Sequence, residues 1–138
     1  MILDTGVIID VMGNDKAAVR KIKELAARRE PQIITSPSIF ELYSGVSQSH
    51  KPETEKRKIL STLANLLIWH FDAEGAGKGG EIDGRLVSEG QRIDPIDSMI
   101  AGIALSKGQA VLSRNVKHFS RIPELRICLL YTSPSPRD

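Results

Sequence analysis

Apolar and polar positions along this chain fall into short segments that switch between two periods. The chain opens on the apolar run Met1-Ile2-Leu3, and residues 2–5 read as a short buried strand. Residues 6–12 follow as a helical turn. Asn14 or Asp15 is placed to cap a helix running to about Arg29, with Val19, Ile22, Leu25 and Ala26 on its apolar face. Residues 32–35 form a second predicted strand. Ser36-Pro37 is a strong helix start, with Ser36 expected as N-cap and Pro37 at the first helical position. That helix is predicted to end near Gln48. Pro52 opens another, whose Ile59, Leu60, Leu63, Leu66 and Leu67 are apolar, and residues 67–71 form a third strand. Residues 73–88 read as a helix despite their glycines, and Asp94-Pro95 starts one that Gly108 ends. Residues 110–113 and 124–127 are the fourth and fifth strands. Strands alternating with helices predict an α/β fold: a central parallel sheet of four to five strands, with helices on both faces. No repeat or linker interrupts the pattern, so residues 1–127 are expected to form one domain.

Composition narrows this little. The 138 residues are 41% apolar and 26% charged, ordinary for a globular domain, and 19 basic against 17 acidic side chains leave a net charge of +2. So weak a bias does not name a nucleic-acid partner, because a local patch is what matters. The longest apolar runs are far too short to span a bilayer, and no leader-like segment opens the chain. The expected location is the cytoplasm, with no membrane partner. The one cysteine, Cys128, has no internal partner for a disulfide, and no CxxC or Cys/His spacing indicates zinc. The closing stretch CLLYTSPSPRD, residues 128–138, suits a disordered terminus. It also resembles one reading frame of a transposon-based sequencing adapter. The native frame is therefore expected to end near Ile127, with residues 128–138 a non-native tail.

The candidate chemistry is acidic. Asp4 ends the first strand, at the sheet edge where open α/β folds bind ligands, and the helical N–H groups after it suit an anion such as phosphate. Glu41 lies one turn into its helix, on a stripe of Ser38, Glu41 and Gly45. Asp97 stands three residues after Asp94, beside a buried stripe of Ile96, Met99, Ile100 and Ile103. Asn115 follows the fourth strand. Taken singly, each has a structural reading: Asp4 as a helix cap, Glu41 as a solvated surface acid, Asp97 as a capping-box acid, Asn115 as a turn residue. Together they fall at strand ends and helix starts, which a parallel sheet brings to one edge. Clustered carboxylates repel, and a hard cation such as Mg²⁺ relieves the repulsion while keeping several waters. Such a site can activate water against a phosphate.

At these residues the chain resembles the PIN-domain ribonucleases, specifically the VapC-like toxins of type II toxin–antitoxin pairs. The segments that carry the resemblance are MILDTGVIID, TSPSIFELYSGV, RIDPIDSMIAGIAL and AVLSRNVKHFSRIPEL, which reach to about Leu125. The resemblance implies a PIN-like parallel-sheet fold and an endoribonuclease dependent on Mg²⁺ or Mn²⁺. It implies metal-binding roles for Asp4, Glu41 and Asp97, and an RNA substrate. It also implies a homodimer and a cognate antitoxin as partner. The family's fourth position is Asp or Asn. Here it is Asn115, a neutral and poorer ligand, so one firmly held metal is expected rather than two.

GAGKGG lacks the spacing of a phosphate loop. Five glycines in AEGAGKGGEIDGRL predict a marginal helix, since each interior Gly costs roughly 1 kcal/mol relative to Ala. Trp69 reads as core. His70 and His118 read as ordinary surface or edge histidines. Arg114 suits either an RNA phosphate or a structural ion pair. The basic runs at residues 20–23 and 56–58 read as solvated helix faces. Ile39, Phe40 and Tyr43 are candidates for a dimer or antitoxin surface. Two other functions remain: a receiver-type phosphoacceptor with Asp72 as one acid, and a DNA-processing nuclease. The first lacks the paired acids and the lysine it needs. The second usually carries helical insertions for which this chain has no room.

Overall fold

Short apolar strands flanked by helices can bury both faces only if successive side chains go opposite ways, and they do. In the computed structural model, which describes residues 1–130, Ile2, Ile33 and Val111 join one core while Leu3, Ile34 and Leu112 join another. Five parallel strands carry these residues, β1 (Ile2–Leu3), β2 (Ile33–Thr35), β3 (Leu67–Trp69), β4 (Val111–Ser113) and β5 (Ile127–Leu129), in the order β3-β2-β1-β4-β5. Register is set by Ile2 opposite both Ile33 and Val111.

The first core is closed by α5 (Ala73–Ser88), α6 (Pro95–Lys107) and α7 (Val116–Phe119), the second by α1 (Thr5–Met12), α2 (Lys16–Ala27), α3 (Ser36–Val46) and α4 (Pro52–Leu63). After β1 the chain moves toward β2 and β3, then crosses back to β4 on the other side of β1. Right-handed crossovers in opposite directions put their helices on opposite faces, which accounts for the two layers. The gap between the C-terminal ends of β1 and β4 is the point where strand order reverses, the usual ligand position in open α/β sheets.

Several elements differ from the expected ones. β1 stops at Leu3 because Asp4 turns to cap α1, accepting from the Val7 N–H at 2.9 Å. Thr35, not Ser36, is the N-cap of α3, and the Ser36 hydroxyl instead accepts from Phe71 N at 2.9 Å. In α2 the buried alanine is Ala18, while Ala26 is exposed. Leu60 and Leu67 also face outward. Trp69 is half-buried at the core's edge, with Lys107 Nζ 5.6 Å from its ring centre. β5 starts later than expected, because Leu125 is a buried plug held in a turn by Ile122 O. Pairing with β4 begins at Ile127 and includes Cys128 and Leu129, so the boundary expected at residue 127 cuts a strand. Residues 131–138 of the expected tail lie outside the described residues.

The helix α5 runs the full span predicted, and two of its five glycines, Gly75 and Gly79, lie against α6: a Cβ on Gly102 would stand 2.3 Å from Gly75 O and 2.5 Å from Gly79 N. The two helices meet backbone to backbone, which only glycines on both sides permit. What Gly costs in propensity is offset by the burial of Ile82 and Leu86 that this close approach allows. Among the described residues no helix is long and apolar enough to cross a membrane.

Candidate active site

An open cleft of about 500 Å³ lies at the β1–β4 switch point, and Asp4, Glu41, Asp97 and Asn115 all line it. The sheet brings Asp4 there from β1, α3 brings Glu41, and the first turn of α6 brings Asp97. α6 leads into β4, so its N-terminus necessarily sits at the strands' C-terminal edge. Asp94 caps α6 by accepting from Ile96 N at 2.8 Å. Asp97 is thereby left free of cap duty and turns to the cleft.

Each acid is anchored by a neighbour. Asp4 is buried, with Oδ1 on Val7 N and Oδ2 accepting from the Ser113 hydroxyl. Ser113 in turn accepts from Asn115 N at 2.7 Å, which ties the turn after β4 to the acid after β1. Glu41 accepts from the Thr5 hydroxyl, and Thr5 lies 2.9 Å from the buried Ser38 hydroxyl. Asp97 Oδ2 takes Asn115 Nδ2 at 3.2 Å and lies 2.7 Å from His118 Nδ1. Asn115 also caps α7, accepting from His118 N at 3.4 Å.

All three carboxyls are held above the ordinary carboxylate range, in each case chiefly by burial. For Asp4, the bonds from Ser113 and Val7 oppose this and the charge of Asp97 adds to it. For Glu41 the Thr5 bond opposes burial, while Asp94, Asp97 and Asp4 reinforce it. For Asp97 the bond and charge of His118 oppose burial. Three perturbed carboxyls lining one cleft mark it as a functional-site candidate. Arg114 lines the same cleft and pairs with Asp10 at 2.9 Å, with its side chain 48% exposed. Both expected roles of this arginine are thus open to it at once.

All four residues predicted from sequence therefore meet. Sequence reasoning missed the hydroxyls of Thr5 and Ser113, which bond Glu41 and Asp4, and that of Ser38, which contacts Thr5. It also misjudged His118, which is no ordinary surface histidine but a cleft residue bonded to Asp97. The signal was present: His118 is three residues after Asn115, and that spacing puts both on one face of a helical turn. Asp72 is the cap of α5, bonded to Gly75 N at 2.8 Å, and lies outside the cleft lining, which removes the receiver-type reading.

Comparison with known proteins places this architecture. The PIN domain profile matches residues 1–125. The chain belongs to the PIN domain family. This PIN domain is 32% identical over 124 residues to the tRNA(fMet)-specific endonuclease VapC of Shigella flexneri, covering 90% of this chain and 92% of that one. Among solved structures it is similar to the DNA-bound VapBC of Salmonella typhimurium, with a TM-score of 0.85, 29% identity, and coverage of 94% and 97% of the two chains. It is likewise similar to VapBC2 from Rickettsia felis bound to a promoter DNA fragment, with a TM-score of 0.84, 28% identity, and coverage of 93% and 96%.

Proposed function

We propose that this PIN domain is an endoribonuclease, the toxin of a type II toxin–antitoxin pair, that hydrolyses RNA phosphodiester bonds with a bound Mg²⁺ or Mn²⁺. The observation that carries the reading is the convergence of Asp4, Glu41 and Asp97 on one open cleft, with all three carboxyls raised. The similarity to a named endonuclease over nine-tenths of both chains supports the same chemistry.

The donor set fits a hard cation, since the acids offer oxygen alone. Among the described residues no three Asp, Glu, His or Cys side chains enclose a metal ion unaided. Mg²⁺ keeps several waters and needs few direct protein ligands. Asp4 and Asp97 flank the strand switch point and are the first candidates to hold it, with Glu41 opposite. When bound, such a cation neutralises the charge that builds on the phosphate oxygens and acidifies a nearby water. The chain's own residues supply the rest. The N–H groups of Thr5 and Gly6, at the start of α1, favour an anionic phosphate. Arg114 offers a guanidinium to an adjacent phosphate. Glu41 uses Oε1 for Thr5, which leaves Oε2 to take a proton from the attacking water. The oxygen of that water joins phosphorus as the ester P–O bond breaks, and the departing sugar oxygen takes a proton from solvent water.

The partner proposed for this chain is an antitoxin protein, in keeping with the VapBC assemblies it is similar to. Phe40 and Tyr43 are exposed on α3, whereas Ile39 is taken up by the core, so the first two are the residues available to such a partner or to a second copy. The deciding experiment is cleavage of RNA by antitoxin-free protein with Mg²⁺ or EDTA. Wild type is expected to cut only with the cation. Asp4→Asn and Asp97→Asn are expected to lose at least about 100-fold in rate. Equal cutting by wild type and variants, or none by wild type, would defeat the proposal.

A further inference from the structure

His118 reaches the cleft from an element that none of the three acids uses. α7 is a single turn, and its Phe119 is fully buried, which pins the turn to the core. Asn115 closes the front of that turn on His118 N. With both ends held, the His118 ring faces Asp97, and Nδ1 comes to 2.7 Å from Oδ2. Asn115 Nδ2 reaches the same oxygen at 3.2 Å.

The two nitrogens are themselves 2.9 Å apart. In the Nδ1–H tautomer the ring donates to Asp97 Oδ2, the shorter of its two contacts, and the Asn115 amide donates to the same oxygen. The carboxylate thus spends one oxygen entirely on the protein, and Oδ1 takes no hydrogen bond from the described residues. Asp97 differs here from Asp4 and Glu41, whose side-chain partners are hydroxyls that rotate freely about their C–O bonds. A ring N–H and an amide N–H have fixed directions. Asp97 Oδ2 is therefore held by two side-chain donors of fixed direction.

We propose that His118 is a positioning residue for the divalent cation: its Nδ1–H, with the Asn115 amide, clamps Asp97 Oδ2 and leaves Oδ1 to the metal. This rests on the metal-dependent reading above. It assigns His118 an action through Asp97 and no contact with RNA. Partners of this kind typically account for 10–100-fold in metal affinity.

The test is Mn²⁺ titration of the RNA-free protein, followed by electron paramagnetic resonance, with thermal melting alongside. His118→Ala is expected to weaken Mn²⁺ binding about 10–100-fold. His118→Asn is expected to restore most of it, because the Asn amide nitrogen sits where Nδ1 did. His118→Gln carries its amide one bond further out and is expected to restore little. Wild-type affinity in His118→Ala overturns the proposal. Should His118→Ala fail to fold, the Asn and Gln variants decide, and equal affinities in those two overturn it. A wild type that binds no Mn²⁺ defeats the metal-dependent reading itself. A wild type that binds, with variants unchanged, defeats the role of His118 alone.

Discussion

Gly102→Ala is the substitution for which the structure makes the strongest demand. The added carbon would lie 2.3 Å from Gly75 O, 2.5 Å from Gly79 N and 2.7 Å from Gly79 Cα. Ordinary carbon contacts begin at about 3.5 Å, so α5 and α6 must part by roughly 1 Å. All three obstacles are backbone, and no rotamer change relieves them. A gap of that size forfeits about a quarter to a half of each contact's dispersion energy. On α5 the buried side chains that hold the helix down are Ile82 and Leu86, each contributing about 1.5–3 kcal/mol. Their partial loss, with the strain of overpacking, comes to about 3–4 kcal/mol. Improved helix propensity returns about 1 kcal/mol. The net expectation is a loss of about 2–3 kcal/mol, or roughly 10 °C in melting temperature for a domain of this size. The control is the same substitution at Gly77 or Gly80, where a Cβ meets nothing within 4 Å. There the protein is expected to gain about 0.5–1 kcal/mol. Urea denaturation followed by far-ultraviolet circular dichroism reads both, the midpoint shifting at constant slope. Gly102→Ala within about 0.5 kcal/mol of wild type would refute the backbone contact. Destabilisation by Gly77→Ala would refute the reading of that glycine as open surface.

Three further outcomes are expected. The raised Asp4 pKa means the folded chain binds more protons than the unfolded one above the ordinary aspartate value. Stability of the cation-free protein should then fall as pH rises through that window, toward neutral. Asp4→Asn keeps the Val7 cap and removes the charge, so its cation-free melting temperature should exceed wild type at pH 7.5 and converge with it in acid. Ser113→Ala takes a hydroxyl from both Asp4 and Asn115 N. It should cost about 1–3 kcal/mol in denaturant midpoint and lower RNA cleavage with it. Thr5→Val keeps the shape of the side chain but frees Glu41 from its anchor. It should reduce the cleavage rate while leaving the melting temperature within a few degrees.

The layering of the fold was legible because its strands are short and apolar, and because several helices carry a start or stop residue; the single turn α7 was not among the predicted elements. Ser36-Pro37, Asp94-Pro95 and Gly108 placed elements to within a residue or two. The site was legible to the extent that parallel strands share one edge. The hydroxyls that orient the acids were not, since Ser113 and Asp4 are 109 positions apart and only their pairing in three dimensions unites them. The glycines of α5 were misjudged for a related reason. Propensity describes a helix in isolation, and Gly75 and Gly79 answer to Gly102 on another helix. The fifth strand was placed early because Leu125 is as apolar as a strand residue, although it fills a turn.

The bond between Asp4 and Ser113 also has a meaning in time. A chain leaves the ribosome N-terminus first, at about 5–20 residues per second, so roughly 6–23 s separate the synthesis of Asp4 from that of His118. Until β4 emerges, β1 lacks one of its two neighbours, Asp4 lacks its hydroxyl, and Asp97 lacks both of its clamps. A nascent or truncated chain therefore carries the first acids of the cleft without the cleft. The protein becomes able to act almost at the moment its described fold is complete, and a partner translated earlier has that interval in which to be waiting.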